Sequence, residues 1–150
     1  MSNETSADEL AGYVNMIMRA MLVAGRSGAP AEGRLPFNPL YFNMLRVLSA
    51  EGGARPSRLA EILSVPRTTI STAVKALEKR GLLRSEPDSQ DRRALSVGLT
   101  GEGEEVLAAI LRQDRRNAAA MLASLEEEER AHFMRAMKKV ARGVSGAGDA

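Results

Sequence analysis

Apolar residues recur along this chain with two spacings, that of one helix face and that of alternating strand positions, and their order predicts helices around one short hairpin. Residues 7–24 keep the helical spacing and predict a first helix. A second helix opens at Asn38 and Pro39, a cap followed by a first-turn proline, and ends before the glycine pair at 52–53. Residues 25–36 between them are rich in glycine and predict a flexible loop.

The most regular pattern is RPSRLAEILSVPRTTISTAVKALEKRGLL, residues 55–83. A short helix meets the sequence SVP at 64–66, where proline cannot continue it, and a longer helix follows with apolar residues at positions 70, 73, 74 and 77. Two helices joined by a three-residue turn predict a helix-turn-helix. In the second helix of the helix-turn-helix, the face opposite these apolar residues carries several hydroxyl side chains. A face that only meets solvent would carry more Glu and Lys and fewer β-branched hydroxyls, which are poor helix formers, so this face suggests close approach to a partner. Its residues are Arg67, Thr68, Ser71, Thr72 and Lys75.

A hairpin is predicted after these helices, with strands at 82–85 and 94–99 and the turn PDSQDRR between them. We expect Leu95, Val97 and Leu99 to lie on one strand face, and the two aspartates of the turn to accept backbone N–H groups. The two arginines of the turn either pair with these aspartates in a solvated loop or enter a narrow DNA minor groove. Their place after a helix-turn-helix favours the second interpretation. They are Arg92 and Arg93.

The C-terminal third predicts two more helices within residues 103–143. Ser124 and Glu127 have the spacing of a capping box that would begin the last helix. Its apolar positions, and those of the first helix, exceed what one small core of a helix-turn-helix and a hairpin can cover, so we expect a symmetric dimer. The alternative is a monomer in which these helices fold back on the core. The apolar positions of the last helix are Phe133, Met137 and Val140.

Composition limits the possible classes of protein. The chain has 150 residues, 44% of them apolar, which fits one soluble globular domain over residues 1–150. Without cysteine it cannot form disulfides or thiolate metal sites, and without Trp it lacks an aromatic platform for single-stranded bases. Neither a signal peptide nor a membrane span is evident, so we expect a cytoplasmic protein without a membrane partner.

Charge and candidate chemistry both point to binding rather than catalysis. Residues 55–93 contain nine basic and five acidic residues, a net of +4 in a chain whose total is +2, so this segment suits a polyanion. Gly101 and Gly103 stand where a dinucleotide loop would, but neighbouring glutamates would repel phosphate. His132 is the single histidine and has neither metal-ligand spacing nor a nucleophile to serve. We therefore predict no enzyme activity, no metal and no cofactor.

The succession from residue 55 through the predicted hairpin, here called the wing, to Leu99, Thr100 and Gly103 resembles the winged-helix core of the MarR family of bacterial transcription regulators. The resemblance covers about residues 38–142 and departs from the family in the long loop at 25–36. It implies a homodimer, held by the terminal helices, that binds double-stranded DNA at a palindromic operator. Carried over by position, the outward residues of the second helix of the helix-turn-helix would contact bases, and the two wing arginines would contact DNA.

Pattern and resemblance together predict a mainly α (α+β) fold, with a winged helix-turn-helix core at 38–100 and dimerisation helices at 7–24 and 103–143. The predicted function is a sequence-specific DNA-binding transcriptional regulator that represses or activates genes, with repression favoured, and the alternative is a winged-helix protein-interaction module without DNA binding. Arg58 and Arg84 are expected to contact DNA without reading sequence.

The resemblance also suggests release from DNA by a small aromatic effector. A pocket where the first two helices meet the winged core could use flexible methionines beside aromatic rings. The competing interpretation is that these residues simply pack and that DNA binding is constitutive. The candidate pocket residues are Met18, Met21, Phe37, Tyr41 and Met44.

Overall fold

The computed structural model describes residues 3–26, 35–36 and 38–146. The elements in chain order are α1 (Asn3–Arg26), α2 (Pro39–Glu51), α3 (Pro56–Leu63), α4 (Arg67–Lys79), β1 (Leu83–Pro87), β2 (Leu95–Leu99), α5 (Gly101–Ala123) and α6 (Glu127–Val144). The predicted mainly α fold with one antiparallel hairpin is confirmed. The chain divides into two compact units, Met1–Gln113 and Asp114–Ala150, so the expectation of one domain stays a prediction.

The first unit contains a core built from α2, α3, α4, the hairpin and the first half of α5. Among the described residues, no buried side chain is polar or charged, so this core is held by apolar packing. The predicted inward face of α4 is confirmed, because its four apolar positions are all buried. The largest fully buried side chains are Met44, Leu45, Leu48, Leu59, Ile70, Leu77, Leu82, Val97 and Val106.

Local signals in the sequence set the helix ends around this core. The Asn38 side-chain oxygen accepts the Leu40 amide at 2.9 Å and so caps α2, as predicted. Gly52 ends that helix with φ of 68°, a left-handed conformation that favours glycine. The predicted three-residue turn between α3 and α4 is confirmed, and Ser64 begins it with φ of 54°.

A close contact at the start of α5 joins that helix to the segment between α4 and β1. The Thr100 hydroxyl accepts the Gly103 amide at 3.0 Å and donates to the carbonyl oxygen of Gly81 at 2.5 Å. A Cβ atom at Gly103 would lie 2.2 Å from the carbonyl oxygen of Leu82, so only glycine fits there. The Thr100 and Gly103 positions of the quoted motif are therefore explained by capping and by close packing.

The hairpin differs in detail from its prediction. Its strands pair from Leu83 with Leu99 to Pro87 with Leu95, so Pro87 belongs to a strand rather than to the turn. Proline is tolerated there because this is an edge strand. Of the three residues expected on one strand face, Val97 and Leu99 are buried, but Leu95 is 56% exposed because the outer end of the hairpin extends beyond the core.

The predicted capping box at Ser124 and Glu127 is wrong. Ser124 closes the last turn of α5, since its amide lies 3.3 Å from the carbonyl oxygens of both Ala120 and Met121. The capping box of α6 lies two residues later, where Glu126 and Glu129 each accept the other's backbone N–H.

The first helix is longer than predicted at both ends. It begins at Asn3 rather than near residue 7, because polar residues in a first turn carry no periodic signal. It ends at Arg26, inside the range predicted as a loop. Most of that loop, residues 27–34, lies outside the described residues, while Leu35 packs partly buried against the core.

Candidate nucleic-acid interface

The outer face of α4 is the first part of the candidate interface. All five of the residues predicted for it are exposed, on the side opposite the buried apolar face. The Thr72 hydroxyl donates to the Thr68 carbonyl oxygen at 3.0 Å, which leaves its lone pairs available to an outside donor. Thr69 is also exposed and was not predicted, because the pattern assigns it to neither face.

The N-terminal end of α4 adds positive potential to this face. Pro66 occupies the N-cap position, makes no side-chain capping bond, and precedes a first turn that has no acidic residue. The first N–H groups of the helix therefore lack a capping side chain, and Arg67 stands beside them. A helix end of this kind favours an anion such as phosphate.

The wing tip is a compact turn held by its two aspartates, as predicted. The Asp88 carboxylate accepts the amides of Gln90 at 2.9 Å and Asp91 at 3.1 Å, and Asp91 accepts the Arg93 amide at 3.0 Å. Within the part of the chain that the structure describes, neither Arg92 nor Arg93 has an ion pair with an aspartate of this turn. Both arginines are exposed, so their guanidinium groups are open to an outside anion.

The expected partner of an aspartate turns out to be a different arginine. Arg55 donates from Nε to Asp88 Oδ2 at 3.0 Å and from Nη2 to Asp88 Oδ1 at 2.9 Å, a bidentate pair. The guanidinium and the backbone amides of Gln90 and Asp91 hold the pKa of the Asp88 carboxyl well below its usual range. Sequence reasoning missed this pair because 33 positions separate the two residues and no periodicity links them.

Arg58 and Arg84 lie on other elements of the same unit. Arg58 is an exposed residue of α3 whose guanidinium lies 3.6 Å from the Glu61 carboxylate, one helical turn away. Arg84 projects from β1 and is held more firmly, with Nε at 2.6 Å from Glu86 and Nη1 donating to the Leu99 carbonyl oxygen at 3.0 Å. Arg84 therefore also braces the hairpin.

The residues of the predicted effector pocket have unequal exposure. Met44 is fully buried in the core, and Tyr41 packs partly buried against it. Met21 is also partly buried, whereas Met18 is 47% exposed. Phe37 lies outside the described residues. The pocket stays a prediction.

Other chemistry finds little support in the described part of the chain. Across residues 3–26, 35–36 and 38–146, no group of three or more His, Asp or Glu side chains could hold a metal ion. In the same ranges no helix is both long and apolar enough to cross a membrane. His132 is an exposed residue of α6, with Nδ1 at 3.1 Å from the Glu128 carbonyl oxygen.

Known proteins provide an independent comparison. The sequence profile described as MarR family matches residues 35–94. The transcriptional regulator HosA of Escherichia coli O127:H6 is 31% identical over 99 residues, which cover 66% of this chain and 73% of HosA. The YusO protein of Bacillus subtilis has the same fold at 20% identity, with a TM-score of 0.73 over 95% of this chain and 99% of YusO.

A further solved structure is the PcaV transcriptional regulator of Streptomyces coelicolor in complex with its natural ligand. It is 27% identical to this chain, with a TM-score of 0.59, and the match covers 88% of this chain and 91% of PcaV. The profile match falls on the helix-turn-helix and on the wing turn, the two parts of the candidate interface. The chain belongs to the MarR family of winged-helix transcriptional regulators.

Proposed function

We propose that the protein is a homodimeric repressor that binds a palindromic DNA operator, with α4 in the major groove and the wing in the minor groove. The observation that carries this proposal is the outer face of α4, which combines exposed hydroxyls with a cation near each end. Short side chains let the helix backbone approach base edges, where hydroxyls both donate and accept hydrogen bonds. The apolar face behind them holds the helix on the core.

The wing supplies the second contact of this proposal. A narrow minor groove has strongly negative potential and attracts guanidinium groups, which Arg92 and Arg93 carry at the exposed turn. Arg58 and Arg84 would add phosphate contacts, which set affinity and register without reading sequence. Arg84 has less freedom for this than Arg58, because two acceptors in the hairpin already hold it.

The dimer is supported by the exposed apolar residues of the two terminal helices. On α1, Leu10 is 62% exposed and Met16 is 67% exposed, and on α6, Val140 is 56% exposed. The first turn of α6 is acidic, whereas its later turns carry Arg135, Lys138, Lys139 and Arg142. An antiparallel second copy would bring these opposite charges together and cover the apolar residues.

A winged helix that only binds proteins is the competing function. Protein interfaces rely on buried aromatic and aliphatic anchors, and the outer face of α4 presents hydroxyls and cations instead. Selection from random duplexes at two salt concentrations separates the two functions. We expect an enriched inverted repeat with half-site centres roughly 10 base pairs apart and weaker binding at higher salt. Enrichment of no duplex would favour the protein-interaction module.

A small aromatic effector completes the proposal. The PcaV structure contains that protein's natural ligand, and here Tyr41 and Met21 are partly buried side chains of the kind that close around a flat molecule. Release requires tighter binding to the DNA-free form, by about 1.4 kcal/mol for each tenfold decrease in DNA affinity. Calorimetric titration of aromatic acids into the free protein and into the DNA complex tests this. Equal affinity for both forms, or no binding, would mean that DNA binding is constitutive.

A further inference from the structure

The outer half of the wing has few neighbours in the core. Val97 pairs with Ala54 through two backbone hydrogen bonds of 2.9 Å, and this bridge fixes the inner half of β2. On β1, the Ser85 hydroxyl donates to the Glu78 carboxylate of α4. Beyond these contacts Leu95 is 56% exposed, so apolar packing does not hold the tip.

The Arg55–Asp88 pair lies beyond the last strand pair, Pro87 with Leu95. It therefore contacts the wing nearer its tip than the Val97 bridge and the Ser85 hydrogen bond do. Arg55 is the residue between Ala54, which is fixed by its bridge, and Pro56, which begins α3. The backbone of Arg55 is therefore fixed by its two neighbours, so its guanidinium can hold the wing tip in one position. The Asp88 side chain is only 13% exposed.

Asp88 connects this anchor to the turn that carries the wing arginines. The Asp88 oxygen that accepts Arg55 Nη2 also accepts the amides of Gln90 and Asp91. The Asp88 amide donates to the Ala94 carbonyl oxygen at 2.9 Å and closes the turn. A shift of Asp88 would therefore carry the whole tip with it.

We propose that Arg55 and Asp88 form a positioning pair that fixes the wing tip, and with it Arg92 and Arg93, relative to the helix-turn-helix. This inference rests on the proposed function, because it concerns how the wing meets DNA. The proposal gives Arg55 a role different from that of the cations in residues 55–93 that are proposed to contact DNA. Two donors of Arg55 are committed to Asp88, so Arg55 acts through the wing rather than on phosphate.

The variant Asp88→Asn tests the proposal because its change of charge and its loss of the pair should alter DNA affinity in opposite directions. Asp88→Asn keeps an oxygen that can accept the turn amides but removes the negative charge that binds Arg55. Removing a negative charge should by itself strengthen binding to DNA. We expect the opposite, about tenfold weaker binding to a duplex that the wild-type protein selects from random DNA. Glu86→Gln removes the same charge from the same hairpin, leaves the Arg55–Asp88 pair intact and is the control. Because it also frees Arg84 from its ion pair, its binding should be unchanged or tighter.

A double-mutant cycle separates positioning from direct contact. Arg55→Gln should weaken binding about tenfold in the wild type and less than about twofold in Asp88→Asn. An equal reduction in both backgrounds, with a salt slope smaller by about one unit, would make Arg55 a phosphate contact and overturn the proposal. Binding by Asp88→Asn as tight as wild type would also overturn it. Thermal unfolding confirms that each variant is folded.

A measurement without DNA keeps the inference separate from the proposed function. Amide hydrogen exchange at Ala94, which donates to the Asp91 carbonyl oxygen, should become at least about threefold faster in Arg55→Gln. It should stay unchanged in Glu86→Gln. If the wild-type protein selects no duplex, the proposed function fails, and the exchange rates alone then decide whether the pair holds the tip.

Discussion

Helices α4 and α6 both have one apolar face, but the structure covers only one of them. On α4, Ile70 and Leu77 are fully buried, whereas on α6, Met137 is 44% exposed and Val140 is 56% exposed. All of Glu127–Val144 is described, and none of its residues is buried. The comparison shows that periodicity identifies an apolar face without telling what covers it.

The same contrast separates the winged core from α1. The core residues meet partners within their own unit, while Tyr13 and Val14 of α1 are about half exposed. Leaving contiguous apolar side chains in water costs free energy, so such faces mark contact sites. The exposed apolar side chains of the terminal helices are those that the proposed dimer would cover, whereas the apolar side chains of α4 are already buried.

The largest expected effect is on the free energy of unfolding and comes from the buried apolar face of α4. Leu77→Ala removes a fully buried side chain and should lower the free energy of unfolding by about 2 to 5 kcal/mol, equally at low and high protein concentration. Met137→Ala on α6 is the matched variant, and its destabilisation should shrink as the protein is diluted below the dimer dissociation constant. Urea unfolding at two concentrations measures both. A concentration-independent destabilisation by Met137→Ala would mean that its partner lies in the same chain.

Close packing at the start of α5 gives the next largest effect. Gly103→Ala places a Cβ 2.2 Å from the Leu82 carbonyl oxygen, so backbone must shift, and we expect the free energy of unfolding to fall by about 1 to 3 kcal/mol. Gly101→Ala is the control, because beyond its chain neighbours and its own helix backbone no atom lies within 4 Å of its Cβ position. That variant should unfold at the same denaturant concentration as wild type or slightly higher. Equal destabilisation at both glycines would contradict the packing explanation, because helix propensity favours alanine at both positions and the close contact exists only at Gly103.

The outer face of α4 should affect DNA reading rather than stability. Thr72→Ala and Lys75→Ala should relax base preference at defined operator positions. Each should weaken the free energy of binding to the best operator by about 1 to 3 kcal/mol. Arg58→Ala should weaken all sequences alike. Competition binding to single-base operator variants measures the difference. A uniform weakening by both sets would mean that α4 does not read sequence.

The wing arginines should give a smaller effect, which depends on salt. Arg92→Ala should weaken operator binding without unfolding the protein, and the slope of log affinity against log salt should shrink by about one unit for each phosphate that is no longer neutralised. Titrations at several salt concentrations test this, with thermal unfolding as the folding control. Unchanged affinity in a folded variant would exclude the minor-groove role of Arg92.

The fold was predictable wherever the local sequence determined the structure. The buried face of α4, the Asn38 cap and the aspartate turn were all predicted, because each depends on neighbours within a few residues. The capping box was misplaced by two residues, since Ser124 satisfied the same pattern while closing α5. Helix ends are weakly specified by sequence for this reason.

Spacing in the sequence identified the residues proposed for the interface, but it did not identify the Arg55–Asp88 pair that holds the wing tip. The outer residues of α4 and the wing arginines follow from spacing, whereas Arg55 contacts Asp88 only because the chain folds back on itself. The exposure of Leu95 has the same origin, because alternation fixes the face of a strand but not where the core beneath it ends. Contacts between distant residues leave no periodic signal.

The smallest expected effect is a pH dependence at the wing. The pair with Arg55, followed by the Gln90 amide, holds the pKa of the Asp88 carboxyl well below its usual range. A carboxyl whose pKa is lower in the folded state stabilises the fold above its unfolded pKa, and this contribution is lost as pH falls toward the folded pKa. The difference in unfolding free energy between wild type and Asp88→Asn should therefore stay constant from about pH 8 to 5 and shrink below about pH 4. Urea unfolding across this range measures it, with Glu86→Gln as the matched variant. A difference that already shrinks between about pH 8 and 6 would mean that a group titrating near neutrality, rather than Asp88, is responsible.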